Sequence, residues 1–220
     1  KAELLDQAAR SDLSDASDLG LSTDEIFAFL SRYYRHVAAD DLLGRAPENL
    51  LGAAVSQYRL AAQRPQGTAN IRVYTPGVAS DGWSAAEHTV VEVVTDDMPF
   101  LVDSVTMLLS QQDRAIHVVI HPQLTVRRDL AGALLEVVDT ADPQRTPDGA
   151  GSESWMHIEI DRETDPEQLA ALTADLQRIL HDVREVVEDE GKMRDAAARL
   201  SAELRALPAG TALDDPNEVP

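Results

Sequence analysis

Cysteine is absent from the 220 residues, which removes disulfides, thiolate nucleophiles and Cys-ligated zinc and suits a reducing cytosol. Positive charge is scarce as well. Nineteen Lys and Arg stand against 39 Asp and Glu, a formal net charge of −20, which argues strongly against nucleic acid or an anionic membrane surface as a partner. No apolar run approaches the ~20 residues of a spanning helix, and no charged segment followed by an apolar one opens the chain. A soluble, cytoplasmic protein is expected. The sequence also lacks G-x-G-x-x-G, G-x-x-x-x-G-K-[ST] and G-x-S-x-G, so dinucleotide, P-loop and serine-hydrolase chemistries have no residues to stand on. What it does have is ordinary globular composition, 44% hydrophobic and 26% charged, with enough length to bury ~70% of the unfolded surface. Lys1 in place of Met, and the acidic, turn-rich residues 213–220, suggest a piece excised from something longer.

Periodicity organises the chain. Residues 1–20 have only a loose apolar pattern and read as a frayed, partly helical lead. Ser22 and Glu25 then form a capping box, with Leu21 and Ile26 as a hydrophobic staple. Ile26, Phe29, Leu30, Tyr33 and Val37 follow at helical spacing, which predicts a helix over 23–38. Pro47 suits the first turn of a second helix, ended by Pro65-Gln66-Gly67. From there the period becomes extended. Residues 70–75 read as an edge strand, and 88–95, with Val90, Val91, Val93 and Val94 on both faces, as a central strand covered on both sides. Pro99 is expected to open a helix through Leu101, Val105 and Leu108. Residues 116–126 read as one long strand turned by Asp129-Leu130-Ala131-Gly132 into 134–138, and 139–152 as a mobile loop. In the strand 155–160, Met156, Ile158 and Ile160 alternate with His157 and Glu159. Asp165 and Pro166 start a long helix whose apolar register changes beyond Gly191. Strand, helix, strand, strand, helix is the split βαβ order of an α+β ferredoxin-like sandwich, preceded here by a helical hairpin. The expected divisions are a helical segment at 1–66, a sandwich domain at 67–210 and a linker at 211–220.

Few residues invite chemistry. His117 and His121, four apart on a strand, lie ~13 Å from each other and do not share a metal; His157 on a neighbouring strand could complete a site with one of them, but reads as a solvated or hydrogen-bonded surface histidine. Asp96, Asp97 and Asp103 resemble a magnesium cluster, but Asp97 just before a helix is better explained as its cap. No catalytic, cofactor-binding or metal-ligating set is assigned.

The blocks YYRHVAADDLLGRAPENLLGA, IRVYTPG, DDMPFLVDSV, IHVVIHPQLTVRRD and ESWMHIEIDR resemble the N-terminal region of the large bacterial NAD-specific glutamate dehydrogenases, from about Leu21 to Leu207. The resemblance implies an ACT-like domain of a parent enzyme that oxidises glutamate with NAD on a distant catalytic domain, and no cofactor in this stretch. It also implies regulation or oligomerisation, with other domains of the parent, a second copy or an amino-acid effector as partners. The effector loop of such domains reads roughly D-x-P-G-L-L, which falls here on Asp97-Met98-Pro99-Phe100-Leu101-Val102, and the resemblance makes Asp96, Asp97, Met98, Pro99, Phe100 and Ser104 the candidate effector-binding residues. Phe100 stands where Gly would be, and a ring buried there is expected to close the pocket.

Overall fold

The computed structural model describes residues 1–11, 19–139 and 147–206. The expected linker at 211–220 and the centre of the loop at 139–152 lie outside the described residues. The chain divides into two compact units, Lys1–Val183 and Arg184–Pro220.

In the first unit, two strands form the middle of an antiparallel sheet. β2 (Thr89–Asp96) pairs with β6 (Ala150–Ile160) from Thr89↔Ile160 to Asp96↔Glu153. β1 (Asn70–Tyr74) pairs with the other side of β2, the edge position expected of it. Along the far side of β6 run β3 (Ile116–Ile120) and then β4 (Gln123–Arg128), and β5 (Leu134–Val138) pairs with β4. The long strand expected over 116–126 is therefore two, broken at His121-Pro122. Proline has no N–H to donate, yet its carbonyl still accepts from the Trp155 amide at 3.1 Å, so the ladder is carried across the break. β6 starts at Ala150, so the last residues of the expected loop are strand. Val90, Val91, Val93 and Val94 are all fully buried, as a strand covered on both faces requires.

One face of the sheet meets α1 (Ala2–Ala9), α2 (Thr23–Tyr33), α3 (Ala39–Leu43) and α4 (Pro47–Ala61). Leu5, Ala8, Phe29, Leu30, Leu50 and Leu51 from these helices share one core with Val94, Ile120, Leu124, Val126 and Trp155. The lead is therefore not frayed over α1. The capping box forms as expected, Ser22 Oγ accepting from the Glu25 amide at 3.3 Å and Glu25 from the Ser22 amide at 2.8 Å. The helix nevertheless stops at Tyr33, short of 38. Tyr34 turns out of the helix to donate its hydroxyl to the Leu50 carbonyl at 2.8 Å, and Lys1 Nζ takes up the freed carbonyls of Arg35 and Val37.

Alternation along β6 turns Met156, Ile158 and Ile160 to the opposite face, and all three are fully buried. There α6 (Leu101–Gln111) packs against β3, and Gln112 donates to Asp175 at 2.8 Å, tying it to α7 (Pro166–Ala206). The buried stripe of α7 is Leu172, Leu176, Leu180 and Val183. A short helix, α5 (Val78–Asp81), lies between β1 and β2. This is an α+β, ferredoxin-like arrangement with a further helical layer on the face such a sheet otherwise leaves bare.

The second unit is described over Arg184–Ala206, where α7 continues through Gly191 without interruption. Every residue from Glu190 to Arg205 is exposed.

Candidate functional site

The face of β6 that alternation marks as polar is not solvated. Glu153, Trp155, His157 and Glu159 point into the helical layer and are 2%, 0%, 0% and 0% exposed. Bare carboxylates there would be prohibitively costly, so each has to be met by cations and hydrogen-bond donors.

Glu159 is met by Arg45, just beyond α3, whose Nη2 donates to Oε2 at 2.9 Å, and by two histidines, His88 Nδ1 at 3.1 Å and His157 Nε2 at 3.3 Å. Burial pushes this carboxyl up, but the bonds from His157 and Arg45 outweigh burial and hold it far below the usual carboxylate range. Glu153 sits between two guanidiniums. Arg64 Nη2 and Arg128 Nε each donate to Oε1 at 2.6 Å, and the Trp155 indole N–H donates to Oε2 at 3.0 Å. Here too burial opposes and the arginines win, so the carboxyl is lowered. Glu92, on β2 beside His157 in the register, accepts from Ser56 at 2.6 Å and from Arg72 at 2.7 Å. Gln57 of α4 completes the set, donating to the carbonyls of Val93 at 3.0 Å and Met156 at 2.8 Å. A carboxylate fixed between two arginines has lost the proton affinity a general base needs. What these groups do well is fasten α3 and α4 to the two central strands.

The expected effector loop is divided. Asp96 accepts from Arg64 at 2.7 Å and from the Gly67 amide at 3.0 Å, and it lines a cavity of about 310 Å³ with Arg64, Arg128 and Glu153. Asp97 does not cap α6. It accepts from Gln123 at 3.1 Å, because the chain runs on through Met98 and Pro99 before Phe100 takes the N-cap position. Met98 is half-buried, Pro99 exposed, and Ser104 a half-buried residue whose amide donates to the Phe100 carbonyl at 2.9 Å. Phe100 is 57% exposed, so the ring expected to fill a pocket points into water instead. Its backbone is left-handed, φ +71°, the conformation for which Gly is suited.

Asp97 lines a second cleft, about 280 Å³, together with Arg32, Arg35, His36, Gln123 and Asp139. Arg32 bonds Asp139 at 3.3 Å across its rim and donates to the Val137 carbonyl at 3.0 Å. Guanidiniums and carboxylates in one cleft are the complement of a zwitterion.

Among the histidines, His117 stacks on His88 with centroids 4.1 Å apart and bonds Asp161 at 2.8 Å, while His121 bonds Ser154 at 2.6 Å and is lowered by burial. His157 is no surface residue; it is wholly buried, its Nδ1 without a partner. Among the described residues no group of three His, Cys, Asp or Glu is placed to hold a metal ion. Sequence reading missed Arg45, Arg64 and Gln57. The available signal was Trp155, a large apolar ring on the face assigned to solvent.

Residues 29–176 match the family model described as glutamate dehydrogenase, ACT1 domain. The chain is 34% identical over 182 residues to the NAD-specific glutamate dehydrogenase of Halomonas elongata, covering 83% of this chain and 11% of that protein. It is 32% identical over 176 residues to the enzyme of the same name from Pseudomonas aeruginosa, covering 80% and 11%, and 29% identical over 166 residues to that from Mycobacterium tuberculosis, covering 74% and 10%. The chain thus spans about a tenth of the length of the curated relatives it matches.

Proposed function

The chain belongs to the glutamate dehydrogenase ACT1-domain family, and on that premise we propose that it is a non-catalytic, N-terminal region of an NAD-dependent glutamate dehydrogenase, acting in regulation and assembly of that enzyme. The observation that supports this reading is the use of the buried charges: Glu159 is held by Arg45 just beyond α3, Glu153 by Arg64 just beyond α4 and Glu92 by Ser56 of α4, so they fasten the helical layer to the sheet. A rigid body of this kind transmits a shift in one layer to the other, which is what coupling two states of a larger enzyme requires. NAD and glutamate belong to a catalytic domain elsewhere in the parent.

The test compares the parent enzyme with and without residues 1–206, and with the purified chain, for glutamate-dependent NADH formation. The chain alone is expected to form none, and the shortened parent to keep turnover per folded subunit while losing its native assembly or its response to effectors. Turnover by the chain, or a shortened parent unchanged in both assembly and effector response, overturns the proposal.

A second reading, an amino-acid effector site, has its own support in the cleft of Arg32, Arg35, Asp97 and Asp139. There the carboxylate of a free amino acid meets the arginines and its ammonium meets Asp97 or Asp139. Calorimetric titration of the chain with a panel of amino acids, repeated on Arg32→Ala, checks this. Saturable micromolar binding lost in the variant supports it, and heats of dilution alone remove it.

A further inference from the structure

The cleft that Asp97 shares with Arg32, Arg35 and Asp139 holds its two carboxylates in different ways. Asp97 is fixed by uncharged donors. Gln123 Nε2 lies 3.1 Å from each of its oxygens and Ser152 Oγ 3.4 Å from one of them, while its own amide donates to the Ser152 carbonyl at 3.0 Å. None of these bonds brings a positive charge to it. Asp139, just beyond β5, is the reverse. One of its oxygens lies 3.3 Å from Arg32 Nη2 and the other 3.8 Å from Arg35 Nη2, so a single carboxylate spans both guanidiniums. Arg32 is set in place behind this bridge, with Nη1 donating to the Val137 carbonyl at 3.0 Å and its side chain 20% exposed. Two guanidiniums facing one carboxylate, one to each oxygen, is the pose in which a bound carboxylic acid is held. Asp139 itself is 65% exposed, so the bridge stands in water and is weak.

We infer that Asp139 is a resident competitor, its carboxylate occupying on Arg32 and Arg35 the subsite of a ligand's carboxylate. A free amino acid binds by displacing Asp139 from the arginines while its ammonium pairs with Asp97. This assignment rests on the reading of the cleft as an amino-acid site, and it separates the roles of the two acids. Asp97 meets an ammonium without leaving any partner, because Gln123 and Ser152 fill only part of the acceptor capacity of its two oxygens. Asp139 has to give up both arginines before it can meet anything else. The exchange also reaches beyond the cleft. Arg32 belongs to α2 and Arg35 follows it, whereas Asp139 follows β5 and Asp97 precedes α6. Replacing Asp139 by a ligand therefore loosens a tie between the end of β5 and the helical layer and makes another, through the ligand, to the loop before α6. A ligand shifts an equilibrium only through such a difference in contacts between two states.

The test is calorimetric titration with L-alanine, L-leucine, L-aspartate and L-lysine of the unaltered chain and of Asp139→Asn, Asp139→Glu and Asp97→Asn. Asp139→Asn removes the competing charge and keeps the shape. Any of these amino acids that binds is expected to bind it about two- to fivefold tighter, the size of an exposed ion pair. Asp139→Glu keeps the charge and should match the unaltered chain, and Asp97→Asn should lose at least about tenfold in affinity. The near-ultraviolet circular dichroism should be the same in all of them. Binding that Asp139→Asn leaves equal or weakens, or an equal gain in Asp139→Glu, overturns the inference while the amino-acid reading stands. Undiminished binding by Asp97→Asn overturns the placing of the ammonium. Saturable heat from none of these amino acids in any of these chains removes the amino-acid reading and the inference together.

Discussion

Phe100 occupies a left-handed turn at φ +71° with its ring 57% exposed, so it carries backbone strain without the burial that would offset it. Phe100→Ala is expected to cost under ~1 kcal/mol, against the ~3–5 kcal/mol of a buried Phe. Phe100→Gly should raise stability by about 0.5–1 kcal/mol through relief of the strain. Urea unfolding of both variants checks this, and a loss above ~2 kcal/mol in either would return the ring to the core. Gly52 is the opposite case. A Cβ there would lie 2.3 Å from Trp83 Cβ, so Gly52→Ala must displace the indole and should cost ~1–3 kcal/mol in the same measurement. The proline-bearing loop and the helix after it are legible from Asp97-Met98-Pro99, since those cues are local. The partner of Asp97 is not. Gln123 is 26 residues away, and no local rule brings it there.

At the scale of elements, short-range signals translate well. The Ser22–Glu25 box forms where it is read, and Ser22→Ala should cost ~1 kcal/mol of stability, seen in thermal or urea unfolding. β2 is legible as a central strand because its valines occupy both faces, and β1 as an edge because its run is short and followed by Pro76-Gly77. β6 shows where alternation fails. His157 and Glu159 are polar and opposite Ile158 and Ile160, so period two assigns them to water, yet both are fully buried. The alternation is real and the inference from polar to exposed is what breaks. Arg45 lies 114 residues from Glu159, and only the docked helical segment brings it close enough to replace solvent.

For the whole molecule, the buried acids set the response to pH. Glu153 and Glu159 are held below the ordinary Glu value of 4.5. Their contribution is complete above that value in the unfolded chain and is lost as pH falls through their lower folded values. His121 is lowered from 6.5 by burial, which penalises only its charged form, so it leaves folding unaffected above 6.5 and opposes it as the pH falls below. With salt present to screen the net charge of −20, the urea midpoint should be level near neutrality, decline gently below 6.5 and fall steeply below 4.5. A midpoint that rises on acidification through 4.5 would mean these acids are not paired as described.

The charges inside this chain fasten its layers together. Residues kept for chemistry commonly leave stability unchanged, or improve it, when they are replaced. Breaking a buried ion pair by removing one partner costs ~3–5 kcal/mol. The most direct measurement is therefore the urea unfolding free energy of Glu159→Gln at neutral pH. The predicted result is a loss of that size with an unchanged slope in urea. A variant as stable as the parent sequence, or more stable, would contradict the account and mark Glu159 as a functional group.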